Sequence, residues 1–201
     1  MSFHESAPAI DQGAAGIIRN NGMLEMAEAH GFYEVACFDA SGNLKWTDVI
    51  DNVVCNEGKN SALDNFLKAS AFTQTTYMGL ITATGYTSAP AVGNTASSIA
   101  TSASANGWNE APAATCAARQ TPSFGSASAG SLSLSTARTF SIVGTDTIKG
   151  VFLLVKNSAG TAPTATVANT SGAIYSAGLF TGGDKSVANG DTLSVSYTAS
   201  L

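Results

Sequence analysis

Apolar and polar residues change rhythm twice along this chain, and the changes divide it. Before residue 32 the order is irregular: Pro- and Gly-punctuated positions lead to Met23, Leu24, Met26 and Ala27 between Gly22 and Gly31. Helix formers between two glycines predict an arm, residues 1–31, that ends in one short helix. From Phe32 the run FYEVACF, the polar stretch Asp39-Ala-Ser-Gly-Asn43 and the run Leu44–Ile50 predict a β-hairpin. Asn56 then stands where a side-chain oxygen can cap a helix over EGKNSALDNFLKAS, with Glu57 at the positive end of its dipole. Leu63, Phe66 and Leu67 share one face of that helix beside Ala62, a spacing that predicts packing onto a sheet.

A second change follows Thr76–Thr82, which reads as a buried strand. Residues 83–131 are dominated by Ala, Ser, Thr, Gly and Pro, with Trp108, Cys116 and Phe124 interspersed. The expectation here is irregular loops and short strands that gain order only against a partner. β patterning then returns at Leu132–Leu134, Arg138–Val143, Thr147–Val155, Ile174–Phe180 and Asp191–Tyr197, the last alternating at Leu193, Val195 and Tyr197 after the turn Asn189-Gly190-Asp191. The predicted fold is mainly β: an antiparallel β-sandwich, jelly-roll or Ig-like, over residues 32–201, with one short helix packed on it and the N-terminal arm. No segment repeats at a fixed period, which counts against a solenoid or propeller.

Composition sharpens this picture. Charged residues make up 11% of the 201, against 44% apolar, where an average soluble protein carries about 25% charged. A surface of Ser, Thr, Ala, Asn and Gly suits close packing against other protein, so assembly is expected. The net charge of −5 and singly spread Lys and Arg leave no basic stripe to follow a phosphate backbone. Nothing at the N-terminus has the charged and apolar regions of a signal peptide, and no apolar run is long enough to cross a bilayer. No nucleic-acid or membrane partner is expected.

Candidate chemistry is sparse. His4 and His30 are the two histidines, one in the arm and one at the expected helix end. The serines of Gly125–Gly130 miss the GxSxG spacing of a nucleophile elbow. Gly178–Ser186, GLFTGGDKS, resembles a phosphate-binding loop, but Asp184 interrupts the Gly-Lys-Ser order and a turn between strands is preferred. Asp48 and Asp51 point to opposite faces of a strand and are expected to be exposed at its end. Asp39–Asn43 lacks the distal Glu of a calcium loop. Cys37, Cys55 and Cys116 have no CxxC spacing and are expected as free, buried thiols. No enzyme, cofactor or metal is expected.

The hairpin motif Asp39-x-x-Gly42-Asn43-Leu44-Lys45-Trp46, followed by Asn60-x-x-Leu63-Asp64 and an aromatic strand, resembles a group of small tailed-bacteriophage virion structural proteins. Gly107-Trp-Asn-Glu110, the run from Gly144 to Leu153 and Gly190–Val195 look similar in order and spacing to the same group, so the likeness spans residues 32–198 in outline. The resemblance implies a virion location, on the capsid exterior, after synthesis in the host cytoplasm. The expected function is capsid decoration or cementing, with the major capsid protein and other copies of the chain as partners in a homo-oligomer taken as a trimer. Ile10, Ile17, Ile18, Met23 and Leu24 are the arm's contact candidates, since an unpacked segment gains nothing from carrying them. The alternative is a tail-fibre or receptor-binding module with Tyr86, Trp108 and Tyr175 at an exposed tip. A glycan-degrading enzyme is the third reading, built on acidic residues that meet in space.

Overall fold

The computed structural model describes residues 29–67 and 73–201. Over them the chain is mainly β, with ten antiparallel strands in one open sheet and a single α-helix. In chain order these are β1 (His30–Phe38), β2 (Leu44–Val54), α1 (Asn56–Leu67), β3 (Tyr77–Thr82), a 3-10 turn (Ala96–Ser98), β4 (Asn109–Glu110), β5 (Ser131–Ser133), β6 (Arg138–Ser141), β7 (Asp146–Val155), β8 (Ala173–Leu179), β9 (Lys185–Val187) and β10 (Thr192–Ser200). The strands run β4-β3-β7-β8-β2-β1-β10-β5, with β6 also on β10 and β9 also on β7.

The two rhythms of the sequence correspond to two environments. β1 and β10 alternate because one face is buried and the other open: Tyr33, Val35 and Cys37 meet Leu193, Val195 and Tyr197 in the core. β3 and β7 are near-continuously apolar because both faces are covered. Leu80, Val151 and Leu153 join that main core, while Ile81, Phe152 and Leu154 pack on the opposite side with Trp108, Ala96, Ile99 and Ile174. β2 links the two neighbourhoods by pairing with β1 over Phe32↔Asp51 to Phe38↔Leu44 and with β8 over Asn52–Val54. The close approach of β2, β8 and β7 needs glycine. A Cβ on Gly178 would lie 2.4 Å from Ile50 Cγ2, and one on Gly150 would lie 1.9 Å from the Gly178 carbonyl oxygen.

The long Ala/Ser-rich segment is ordered by its own chain. Asn side chains stand in for a strand ladder: Trp108 Nε1 donates to Asn94 Oδ1 at 2.8 Å, and the Asn106 amide bonds both the N–H and the C=O of Thr95 at 3.0 Å. Residues 111–136 then connect opposite edges of the sheet through the bridges Met78↔Gln120, Cys116↔Ile142 and Phe124↔Leu134. The irregular loops and short strands expected here carry these bonds within the chain.

Helix α1 departs from expectation. Its first turn closes through the Lys59 N–H to the Cys55 carbonyl at 3.1 Å, so Cys55 occupies the cap position and Asn56 is already helical. The helix packs on β8 through Gly58 and on the chain just after β7 through Ser61, not through its leucines. A Cβ on Gly58 would meet Tyr175 Cα at 2.5 Å, and the Ser61 hydroxyl donates to the Lys156 carbonyl. Small residues at that face let helix and strand backbones approach, and Leu63 and Leu67, one turn apart, are turned outward. Leu63 is 57% and Leu67 68% exposed, and Ala62 is exposed as well.

Candidate functional site

Three groups of polar side chains and two surface features are candidates for function. The first lies where β2 meets the turn between β8 and β9. Asp48, with a side chain 4% exposed, points inward and accepts from the Thr181 hydroxyl at 2.9 Å, the Gly182 N–H at 3.1 Å and Lys185 Nζ at 2.8 Å. Burial acts to raise the Asp48 carboxyl, but the Lys185 ammonium, the Thr181 hydroxyl and the Gly182 and Val49 N–H groups outweigh it and hold it at about 2. The loop that resembles a phosphate cradle is thus one in form, with the chain's own Asp48 in the place of an anion. Asp184 turns away to Lys149 at 2.6 Å. Expected at an exposed strand end, Asp48 is half-buried; Asp51, on the opposite face, is exposed. Lys45 pairs in turn with Asp191, so β2 and the segment before β10 exchange a cation and a carboxylate in both directions.

The second group is sealed from water. Arg119 and Glu110, 0% and 1% exposed, form a two-pronged pair with Nε–Oε1 and Nη2–Oε2 both at 2.7 Å. Arg119 Nη2 also donates to the Asn169 carbonyl at 2.9 Å, and Glu110 Oε2 accepts the Ala168 N–H at 2.7 Å. The pair clamps the loop between β7 and β8 onto the segment after β4. The guanidinium lies 5.7 Å from the centre of the Phe152 ring. In the third group, Tyr33 bonds Ser176 at 2.6 Å and Asn52 Nδ2 donates to the Tyr197 hydroxyl at 3.0 Å. Burial pushes both phenols well above their ordinary range, which keeps them as hydrogen-bonding groups within the core.

The remaining candidates resolve as turns and core. Asp39 Oδ1 accepts the N–H groups of Ser41 and Asn43 at 2.8 and 2.9 Å, which closes the β1–β2 hairpin. His30 is the first residue of β1 rather than the end of a helix. Gly125–Gly130 lies in an exposed hairpin that turns at Ala129 and Gly130, with φ of +49° and +75°. The three thiols are free and buried; burial lifts Cys37 to about 11 and Cys55 to about 12, far from a reactive thiolate. Among the described residues no group of three or more His, Cys, Asp or Glu could hold a metal ion, and no helix is long and apolar enough to cross a membrane.

Tyr86, Trp108 and Tyr175 do not form an exposed tip. Trp108 is fully buried, Tyr175 packs against the main core, and Tyr86 lies beneath Lys149 Nζ at 4.2 Å. Ile10, Ile17, Ile18, Met23 and Leu24, the expected arm contacts, lie outside the described residues, as does the helix expected over 22–31 apart from its end, where His30 and Gly31 are strand.

Two surfaces stand apart from this internal bonding. One is the outward apolar face of α1, formed by Leu63 and Leu67; Val92, 51% exposed, lies at the start of the helix, where its carbonyl accepts the Asn56 N–H. The other is the open face of β2, β1 and β10, where Glu34, Ala36, Thr47, Val49, Ser194 and Ser196 line a shallow groove of about 420 Å³. Comparison with protein-family models, with curated proteins and with solved structures finds no match to this chain.

Proposed function

We propose that the chain is a non-enzymatic structural protein of a bacteriophage particle, a capsid decoration or cement protein that seats on the head shell. Its bent sheet is read as the two packed layers of a sandwich. The observation that carries this reading is the outward set of Leu63 and Leu67 on α1, in a fold where Leu80, Leu153, Leu154 and Leu193 are buried. Covering such a face returns about 25 cal/mol per Å² before ordering costs are subtracted. The charge-poor composition and the likeness of the Asp39–Trp46 motif to tailed-phage virion proteins support the same reading. The major capsid protein is the partner in this proposal, with further copies of the chain beside it. Four basic side chains, Lys45, Arg119, Lys149 and Lys185, are engaged by the chain's own carboxylates, which disfavours a phosphate backbone as the partner.

The test is to add purified protein to capsids that lack it and to look for it by cryo-electron microscopy. Regular density at defined lattice positions is the expected result, lost for the Leu63→Glu/Leu67→Glu variant whose circular dichroism is unchanged. Density confined to the tail, or none on any part of the particle, overturns the proposal.

A further inference from the structure

β3 takes one edge of β7, and β8 and β9 share the other, but between them the chain leaves the sheet. Leu179 stands opposite Gly150 and Lys185 opposite Ile148, so the five residues 180–184 are set against the single Lys149. So large a bulge interrupts strand pairing, and its course is shaped around an anion. The Phe180 N–H returns to the Lys149 carbonyl at 2.8 Å and the Thr181 N–H to the Val49 carbonyl at 3.1 Å, which fixes the excursion by its backbone. Beyond that point three donors converge on one carboxylate. The Thr181 hydroxyl reaches Asp48 Oδ1 at 2.9 Å, Lys185 Nζ reaches Oδ2 at 2.8 Å, and the Gly182 N–H lies between the two oxygens at 3.2 and 3.1 Å. Lys185 Nζ also donates to the Gly182 carbonyl at 3.3 Å and lies 5.9 Å from the centre of the Trp46 ring, contacts that hold the ammonium at the seat independently of Asp48.

Space at this seat is reserved for an oxygen. A Cβ on Gly182 would lie 2.4 Å from Asp48 Oδ2 and 2.9 Å from Lys185 Nζ, whereas the left-handed backbone falls on Gly183, with φ of +79°. The loop brings no negative charge of its own to the seat, since Asp184 is turned to Lys149 at 2.6 Å. Thr181, Gly182 and Gly183 are exposed, so a small ion can reach it. We propose that Thr181, Gly182 and Lys185 form an oxyanion-binding site, that Asp48 occupies it as a tethered ligand, and that formate or inorganic phosphate takes the seat once Asp48 is removed. Carboxylate and phosphate offer these donors the same thing, charged oxygens that accept from N–H and O–H groups. In the unaltered chain Asp48 excludes them, because a group attached to the same chain acts at an effective concentration of about millimolar or above.

The experiment measures urea unfolding of the full chain, unaltered and with Asp48→Ala, in sodium chloride, formate or phosphate at matched ionic strength. At an anion concentration about ten times its Kd, formate or phosphate is expected to lower the unfolding equilibrium constant of Asp48→Ala about tenfold relative to chloride. The unaltered chain is expected to change by no more than about twofold, the general effect of such salts. Gly182→Ala in the Asp48→Ala background fills the seat with a Cβ and leaves the charge as it is, and Lys185→Met in that background removes the cation; each is expected to abolish the response. A response to one of the two anions alone still assigns the site and fixes its width. No response of Asp48→Ala to either anion, an equal response in the unaltered chain or in Asp48→Ala/Gly182→Ala, or an Asp48→Ala chain that stays unfolded in all three salts overturns the inference. The readout is folding of the isolated chain, so it stands or falls apart from the decoration proposal.

Discussion

Glu110 and Asp48 perform the same task under opposite conditions. Each is a strand carboxylate that holds a neighbouring loop by bonding its backbone N–H and pairing with a basic side chain. The Glu110–Arg119 pair is sealed from water, whereas Lys185 beside Asp48 retains 18% of its exposure. Where water is excluded, neither partner can be replaced by solvent, so the pair acts as a lock that needs both halves. Where water reaches the cation, the loss of one partner is partly made good. The largest expected effect is therefore at the lock. Arg119→Met leaves a carboxylate buried without its cation and should cost about 3–5 kcal/mol in urea unfolding. Glu110→Gln/Arg119→Met should lose clearly less than the sum of the two single changes. A cost under about 1 kcal/mol for Arg119→Met would show that water enters the clamp.

The Asp48 cradle should rank second. Asp48→Ala removes an acceptor shared by the Thr181 hydroxyl, the Gly182 N–H and the Lys185 ammonium, at a cost of about 2 kcal/mol, because these groups can recover part of their bonding from solvent. The same site predicts an acid dependence. With its folded pKa held at about 2, below the ordinary 3.8, Asp48 contributes stability that is fully present above about pH 4 and is lost as the pH falls through 2. Unfolding free energies measured from pH 5 to pH 2 should fall less steeply for Asp48→Ala than for the unaltered protein. Parallel slopes would mean that other carboxylates set the acid limit.

The sequence made the open side of the molecule more legible than the covered side. Alternation in β1 and β10 marks a sheet with one face buried, and the turns at Asp39–Asn43 and Asn189–Asp191 carry their own chemistry, so these elements can be read locally. Strands β4 and β9 are two and three residues long, too short for a period to show. Helix α1 misleads because its leucines are periodic and its buried face is built from Gly58 and Ser61, which no hydrophobic pattern registers. The order of residues 83–110 rests on side-chain amides that bond backbone far along the chain. Composition read as loosely structured there because Asn94, Asn106 and Asn109 resemble ordinary loop residues until their partners are in place. The polar sites were partly legible: GLFTGGDKS has the form of an anion cradle, but its occupant, Asp48, lies far away in sequence. Nothing local could pair Glu110 with Arg119.

The smallest expected effect completes the gradient of water access. Lys149 and Asp184 meet at 2.6 Å, but Asp184 is 46% exposed, and the Lys149 ammonium also lies over the Tyr86 ring. Asp184→Asn removes a charge that solvent already screens and leaves the ring contact in place, so the stability change should stay below about 1 kcal/mol and shrink further in high salt. Thermal unfolding at low and high ionic strength gives both quantities. A loss approaching that of Asp48→Ala would mean that exposure of the acceptor does not set the worth of these pairs. The difference would then lie in what Asp48 has and Asp184 lacks, the backbone N–H and hydroxyl donors of the turn that closes around it.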